Sequence, residues 1–216
     1  MRLKYIVFDL DDTLVSELDY LKSAYKEIAR TIDETLYQTI YKEMLDWYFG
    51  KENTFEQLSR KYGNLDPEQL LVLYRNHFPC IALKTGAAEL LAFVKSSGNR
   101  LGLITDGRSI TQRNKLKALN IEHLFDKIII SEEFGSSKPA MRNYEVFIEA
   151  GVNDYFYIGD NLKKDFISPN KLGWTTVCLV DSGSNIHDQE LDYNDDAKPN
   201  FFVKQISEIK QLVINN

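Results

Sequence analysis

The run KYIVFDLDDTLVS, residues 4–16, places Asp9, Asp11 and Asp12 close together and follows them with Thr13. Apolar Tyr5, Ile6, Val7 and Phe8 lead into it. The carboxylates therefore stand at the end of a segment bound for a core, where mutual repulsion and partial desolvation both cost free energy. Groups of a similar kind close other apolar runs. Thr105 ends RLGLIT, Asp160 ends DYFYIGD with Asp165 shortly after it, and Lys138 lies in SEEFGSSKPA behind KIIIS. Carboxylates gathered from two such ends need a cation. An all-oxygen set without His or Cys favours a hard ion, and Mg²⁺ typically takes one or two carboxylates together with water and phosphate oxygens. An Asp can also attack phosphorus and form an aspartyl-phosphate. A second carboxylate can protonate the leaving group and then activate water. Thr105 and Lys138 can donate to the phosphoryl oxygens as charge is redistributed.

These residues need elements to bring them together. Short β-branched or aromatic runs at 4–9, 100–105, 127–131, 154–159 and 174–180 are nearly continuous in apolar residues, the pattern of strands covered on both faces. Helical patterns near 109–119, 140–150 and 163–172 separate the last four. Strands alternating with helices predict an α/β fold with a Rossmann-like, doubly wound parallel sheet. Ligands of such sheets bind beyond the carboxyl ends of the strands, where the unusual residues fall. Residues 17–78 hold no strand pattern. LDYLKSAYKEIA and ETLYQTIYKEMLDWYF read as amphipathic helices, Asn53 or Thr54 caps another that ends near Gly63, and Asp66-Pro67-Glu68-Gln69 starts a fourth. Leu83–Gly98 supplies the helix leading into the second strand. The expected organisation is a core of residues 1–16 and 84–216 with an inserted all-helical cap subdomain at 17–83.

Composition bounds the rest. Twenty-six Lys and Arg against 32 Asp and Glu leave a net charge of −6 over 216 residues. That balance argues against a nucleic-acid partner, whose groove needs clustered positive charge. Cys80 and Cys178 lack CxxC spacing and read as reduced, buried cysteines, and His77, His123 and His187 form no HxxxH or HxH pair, against a zinc site. No apolar run nears the roughly 20 residues of a membrane span, and the N-terminal run meets Asp9 too early for a signal peptide. The expected location is the cytoplasm, with no membrane partner. The oligomeric state is left open, a monomer being compatible with the sequence.

In order along the chain, FDLDDTL, LIT with Thr105, Lys138 in SSKPA, and GDNLKKD with Asp160 and Asp165 resemble the four motifs of the haloacid dehalogenase (HAD) superfamily of phosphotransferases. The resemblance covers nearly the whole chain. It implies that Asp9 is the nucleophile and a Mg²⁺ ligand. Asp11 is implied as general acid/base and as a metal ligand through its backbone carbonyl. Thr105 and Lys138 would hold the phosphoryl group. Asp160 would be a metal ligand, and Asp165 a direct or water-mediated one that also orients Lys138. Asp106, Gly107 and Arg108 join Thr105 and Lys138 as candidate substrate contacts. The implied activity is Mg²⁺-dependent hydrolysis of a small phosphorylated metabolite, and the helical insertion resembles the C1 type of cap.

Two residues depart from the pattern. Asp106 stands where the family often has Asn, and an ionised Asp would repel a phosphate. Pro169 forces the helix after Asp165 to begin late, since Pro fits only a first turn. Blander roles stand beside several assignments. Asp12 and Thr13 suit a turn, Asp165 suits an N-cap, Arg108 suits either substrate or a surface carboxylate, and Tyr20, Tyr25, Trp47 and Tyr48 suit cap packing. A phosphomutase would use the same motifs. A phospho-receiver module also joins acidic residues, a Thr and a Lys, but it keeps its phosphorylated Asp on the third strand, where this chain has only Ile129, Ile130 and Ser131. A dehalogenase would have no task for Asp11.

Overall fold

The computed structural model describes residues 2–63, 65–183, 185–186, 189 and 195–215. Strands β1 (Lys4–Phe8), β2 (Arg100–Thr105), β3 (Lys127–Ile130), β4 (Asp154–Gly159), β5 (Thr175–Leu179) and β6 (Phe201–Val203) form one sheet. Their spatial order is β3-β2-β1-β4-β5-β6, and each neighbouring pair is parallel. The chain winds outward from β1 in one direction and then, from β4, in the other. This is the doubly wound α/β arrangement expected from alternating strands and helices, with its switch point beside β1.

The continuous apolar runs arise because both faces are covered. Ile6 and Phe8 enter one layer with residues of α5 (Ala87–Ser96), α6 (Ser109–Ala118) and α10 (Ile206–Asn215). Tyr5 and Val7 enter the opposite layer with Tyr144 of α8 (Arg142–Glu145), Phe147 and Phe166. Two short helices, α7 (Ser131–Phe134) and α9 (Ile167–Lys171), complete the sheet layers. Phe147 lies so close to β2 that a Cβ on Gly102 would sit 2.5 Å from its ring.

Between β1 and α5 come α1 (Glu17–Ile32), α2 (Tyr37–Phe49), α3 (Thr54–Tyr62) and α4 (Pro67–Asn76). Side chains of Ser16, Asn53 and Asp66 cap three of them by accepting from the amides of Asp19, Glu56 and Glu68. These helices close around their own cluster of Tyr25, Ile28, Ile40, Met44, Leu58 and Leu70. The chain leaves and re-enters the sheet layers side by side: Val15 bridges Leu83, and Lys84 N donates to Leu14 O at 2.8 Å. The α4 terminus docks on α6, where Thr111 Oγ1 donates to Arg75 O and Asn114 Nδ2 to the carbonyls of Asn76 and His77.

Several expectations need correction. Residues 140–150 form only the short α8, after which Phe147 N and Ile148 N bond three residues back, a tighter turn than an α-helix. The helix expected at 163–172 begins at Ile167, which puts Pro169 inside its first turn. β6 and α10 lie beyond the last strand marked by apolar runs; β6 is a three-residue edge strand, too short to show a period. Cys178 is buried, but Cys80 is exposed, its amide held by Ser23 Oγ at the end of the helical insertion. Among the described residues no helix is long and apolar enough to cross a membrane.

Candidate active site

The tip of β1 pairs with β4 through Asp9 N, which donates to Ile158 O at 2.8 Å and fixes the carboxylate of Asp9 above the sheet. Lys138 comes from the loop behind α7. Its Nζ lies 2.7 Å from Asp9 Oδ1 and 2.7 Å from Asp165 Oδ1, with all three side chains buried. Asp165 is bonded on both oxygens. Oδ2 accepts from the amides of Asp160 and Asn161, and Oδ1 accepts from Tyr157 O–H besides Lys138. The backbone makes room for this: a Cβ on Gly159 would sit 2.5 Å from Asp165 Oδ2.

Thr105, at the tip of β2, accepts from Gln112 Nε2 at 2.7 Å, and its hydroxyl, a donor as well as an acceptor, lines the same cavity as Asp9. Gln112 also donates to Asp11 Oδ2 at 2.8 Å. The other oxygen of Asp11 takes Lys115 Nζ at 2.5 Å, from the next turn of α6. Lys115 is buried, and its ammonium sits 4.3 Å from the ring centre of Tyr20 on α1. Tyr20 O–H donates in turn to Tyr74 O on α4. The carboxylate of Asp11 is thus held by the helix that follows β2 and roofed by the helical insertion.

Asp160 takes Thr13 Oγ1 at 3.5 Å and Asn185 Nδ2 at 3.1 Å, while Gln189 Nε2 donates to its carbonyl. Asp12 is in the left-handed region with φ 54, which Asp tolerates better than most residues. Its carboxylate accepts from the amides of Glu17 and Ile186, and its carbonyl from Lys84 Nζ, so it ties together both connections to the helical insertion. These groups surround a cavity of about 100 Å³ lined by Asp9, Asp11, Asp12, Glu17, Thr105, Asp106, Lys138, Asp160, Asn161 and Lys164. Burial pushes the Asp9 carboxyl up to about 7 against the pull of Lys138, and burial with Asp165 nearby pushes Asp160 up to about 9. Burial followed by Asp11 lifts Glu17 to about 7. Burial opposes charge on Lys138 too, but Asp165 and Asp9 override it and hold the ammonium protonated.

A divalent cation fits this donor set. Oxygens of Asp9, Asp160 and Asp165 lie within 4.8 Å of one another, no nitrogen or sulfur ligand joins that group among the described residues, and burial opposes leaving Asp9 and Asp160 charged without a counter-ion. Asp165 already spends its oxygens on two amides, a hydroxyl and Lys138, so Asp9 and Asp160 are the freer ligands. The fold brings Asp9, Asp11, Thr105, Lys138, Asp160 and Asp165 to one place. Asp106 reaches the cavity, but Oδ1 accepts from Lys138 N and Oδ2 from Lys164 Nζ. Gly107 and Arg108 line a neighbouring open hollow instead, with Arg108 paired to Glu132 at 2.6 Å. The buried Tyr20 and Tyr25 and the half-buried Trp47 and Tyr48 pack in the helical insertion. Sequence reasoning missed Gln112, Lys115, Glu17, Asn185 and Gln189. Only the first two left a signal, a polar pair at i, i+3 on the helix behind Thr105, which puts both on one face.

Residues 6–179 match the profile described as haloacid dehalogenase-like hydrolase. Over 233 aligned residues the chain is 29% identical to the glyceraldehyde 3-phosphate phosphatase of Methanopyrus kandleri, covering 98% of this chain and 97% of the relative. It is 25% identical to the pyrimidine 5′-nucleotidase YjjG of Escherichia coli, covering 99% of each. The crystal structure of YfnB from Bacillus subtilis bound to magnesium superposes with a TM-score of 0.68 at 19% identity, covering 100% of both chains; at that identity the likeness is one of fold.

Proposed function

The chain belongs to the haloacid dehalogenase-like hydrolases, and on that premise we propose that it hydrolyses a small phosphorylated metabolite through an aspartyl-phosphate on Asp9, with Mg²⁺ as cofactor. The observation that carries this reading is the placement of Lys138 Nζ 2.7 Å from both Asp9 and Asp165. It puts a fixed positive charge beside a buried carboxylate at the sheet's switch point, where a phosphoryl group would otherwise be repelled.

In the first half-reaction a carboxylate oxygen of Asp9 bonds to phosphorus, the ester P–O bond breaks, and Asp11 gives a proton to the departing oxygen. Thr105 O–H and Lys138 donate to the phosphoryl oxygens. In the second, Asp11 takes a proton from water, the water oxygen bonds to phosphorus, and Asp9 is released with free phosphate. Asp165 keeps Lys138 in place, and Lys115 with Gln112 keeps Asp11 in place. When bound, the divalent ion would neutralise Asp9 and Asp160 and polarise the phosphoryl group, and Asp9, Asp160 and the Asp11 carbonyl would hold it. Residues 17–83 act as the cap that shields this chemistry from bulk water.

Glyceraldehyde 3-phosphate, named for the Methanopyrus relative, is the first physiological ester to assay. The test is turnover of p-nitrophenyl phosphate with Mg²⁺ by the wild type and Asp9→Asn. Wild-type turnover, no turnover by the variant, and an acid-stable phosphate label on the wild type after quenching are expected. Wild-type activity retained by Asp9→Asn removes the covalent mechanism.

A further inference from the structure

We propose that Lys164 is a positioning residue of the phosphoryl site that acts through Asp106: it cancels the charge of that carboxylate, so that Asp106 can brace the Lys138 loop without repelling the incoming phosphate. This rests on the phosphatase reading above and deepens it by naming what lets a dianionic ester into the cavity. Asp106 follows Thr105 directly and lines the same cavity as Asp9 and Lys138. Its backbone is pinned by Gln112 Nε2, which donates to Asp106 O at 2.8 Å. Its Oδ1 accepts from Lys138 N at 3.1 Å. The carboxylate is therefore held at the site, and an ionised carboxylate there opposes a phosphate dianion.

Lys164 meets it from the other side. Lys164 N donates to Asn161 O at 3.2 Å in the turn after β4, and its Nζ reaches Asp106 Oδ2 at 3.1 Å across 58 positions of sequence. The next residue, Asp165, takes Lys138 Nζ at 2.7 Å. These contacts close a ring: Asp106 holds the Lys138 backbone, Asp165 holds the Lys138 ammonium, and Lys164 holds Asp106. The ring ties together the loops after β2, β3 and β4. The charge balance points the same way. Lys138 and a divalent ion together match the carboxylates of Asp9, Asp160 and Asp165. Asp106 stands outside that balance, and Lys164 is the ammonium paired with it. Lys115 serves Asp11 instead. Glu17 borders the same cavity, but burial and then Asp11 dominate its carboxyl, and Lys164 acts on it more weakly than Lys115 does.

The test measures inorganic phosphate binding to the Mg²⁺-loaded protein by calorimetry, beside KM and kcat on p-nitrophenyl phosphate. Lys164→Met should weaken phosphate binding about tenfold or more, the scale of one uncancelled charge at an effective dielectric constant of about 20. KM should rise by a similar factor while kcat falls less. Asp106→Asn keeps an oxygen for Lys138 N and leaves the Lys164 charge uncancelled, so phosphate should bind more tightly than to the wild type. Adding Asp106→Asn to Lys164→Met should restore most of the lost affinity, and Lys164→Arg should keep it. Unchanged phosphate affinity in a folded Lys164→Met overturns the proposal. So does a loss that Asp106→Asn fails to repair, because Lys164 would then act on the phosphate itself or through Glu17. Where Lys164→Met fails to fold, Asp106→Asn alone decides, and weaker phosphate binding than in the wild type overturns the proposal. Wild-type turnover of p-nitrophenyl phosphate separates the two readings: with turnover intact, any of these results removes this proposal alone, whereas no turnover by the wild type removes the phosphatase reading and this proposal with it.

Discussion

Replacing Lys115 by Met tests how Asp11 is held. Lys115 Nζ lies 2.5 Å from Asp11 Oδ1, with side-chain exposures of 3% for the lysine and 17% for the aspartate. Breaking a fully buried pair costs about 3–5 kcal/mol, most of it from the charge left behind. Asp11 borders the cavity and keeps Gln112, so water can reach it and the cost should fall to about 1–3 kcal/mol. For a protein of this size that is a drop in Tm of about 2–12 °C. Catalysis should suffer separately. General acid–base assistance is worth about 10²–10⁴-fold, and an Asp11 free to rotate forfeits part of it, about 10–10²-fold in kcat on an alkyl phosphate. p-Nitrophenyl phosphate, whose leaving group barely needs a proton, should lose less. The assay is a double-mutant cycle with Asp11→Asn, read in kcat on glycerol 1-phosphate below the Tm of every variant. Lys115→Met should cost little once Asp11 is Asn, giving a coupling above about 1 kcal/mol, and Lys115→Arg should recover most of the alkyl activity. If Lys115→Met keeps wild-type kcat on alkyl esters, or if the two losses simply add, Lys115 does not position Asp11.

Gly159→Ala would set a methyl 2.5 Å from Asp165 Oδ2 and push that carboxylate off two amides and Lys138; a loss of activity of about 10²-fold or more is expected on p-nitrophenyl phosphate, since positioning errors near 1 Å carry that penalty. Removing divalent ions with EDTA should abolish turnover, Mg²⁺ should restore it, and excess Ca²⁺ should inhibit, because Ca²⁺ asks for more and longer oxygen bonds than Asp9 and Asp160 can supply in register; full activity in EDTA rejects the metal role. Asp126 supplies the pH test. Burial opposes its charge, but the amide of Leu101 and the ammonium of Lys95 outweigh burial and hold its carboxyl below the usual range. Its folded value lies below its unfolded one, so its contribution is present above about pH 4 and fades as pH falls through the folded value. Asp126→Asn should flatten the acid limb of a Tm–pH curve, and an unchanged limb refutes the assignment.

The sequence by itself determined the elements and the strand tips. KYIVF, RLGLIT, KIII, DYFYIG and TTVCL are apolar enough to demand cover on both faces, which a doubly wound parallel sheet supplies. Asn53 and Asp66-Pro67 start their helices with interactions that span two or three residues, so local chemistry sufficed. Asp9, Thr105, Lys138 and Asp160 were legible because each follows or ends such a run, and parallel strands put those ends on one edge. What the tertiary structure decided is who holds whom. Lys115 lies 104 positions from Asp11 and Gln112 lies 101 from it, so no local pattern could pair them; the docking of α6 beside β1 did. Asp106 and Arg108 follow Thr105 directly, yet Asp106 was captured by Lys138 N and Lys164 and Arg108 by Glu132. Short-range periodicity specifies which face of an element is buried. The partner that a charged side chain finds depends on which opposite charge another element carries to within a few ångströms, and only the packed chain sets that.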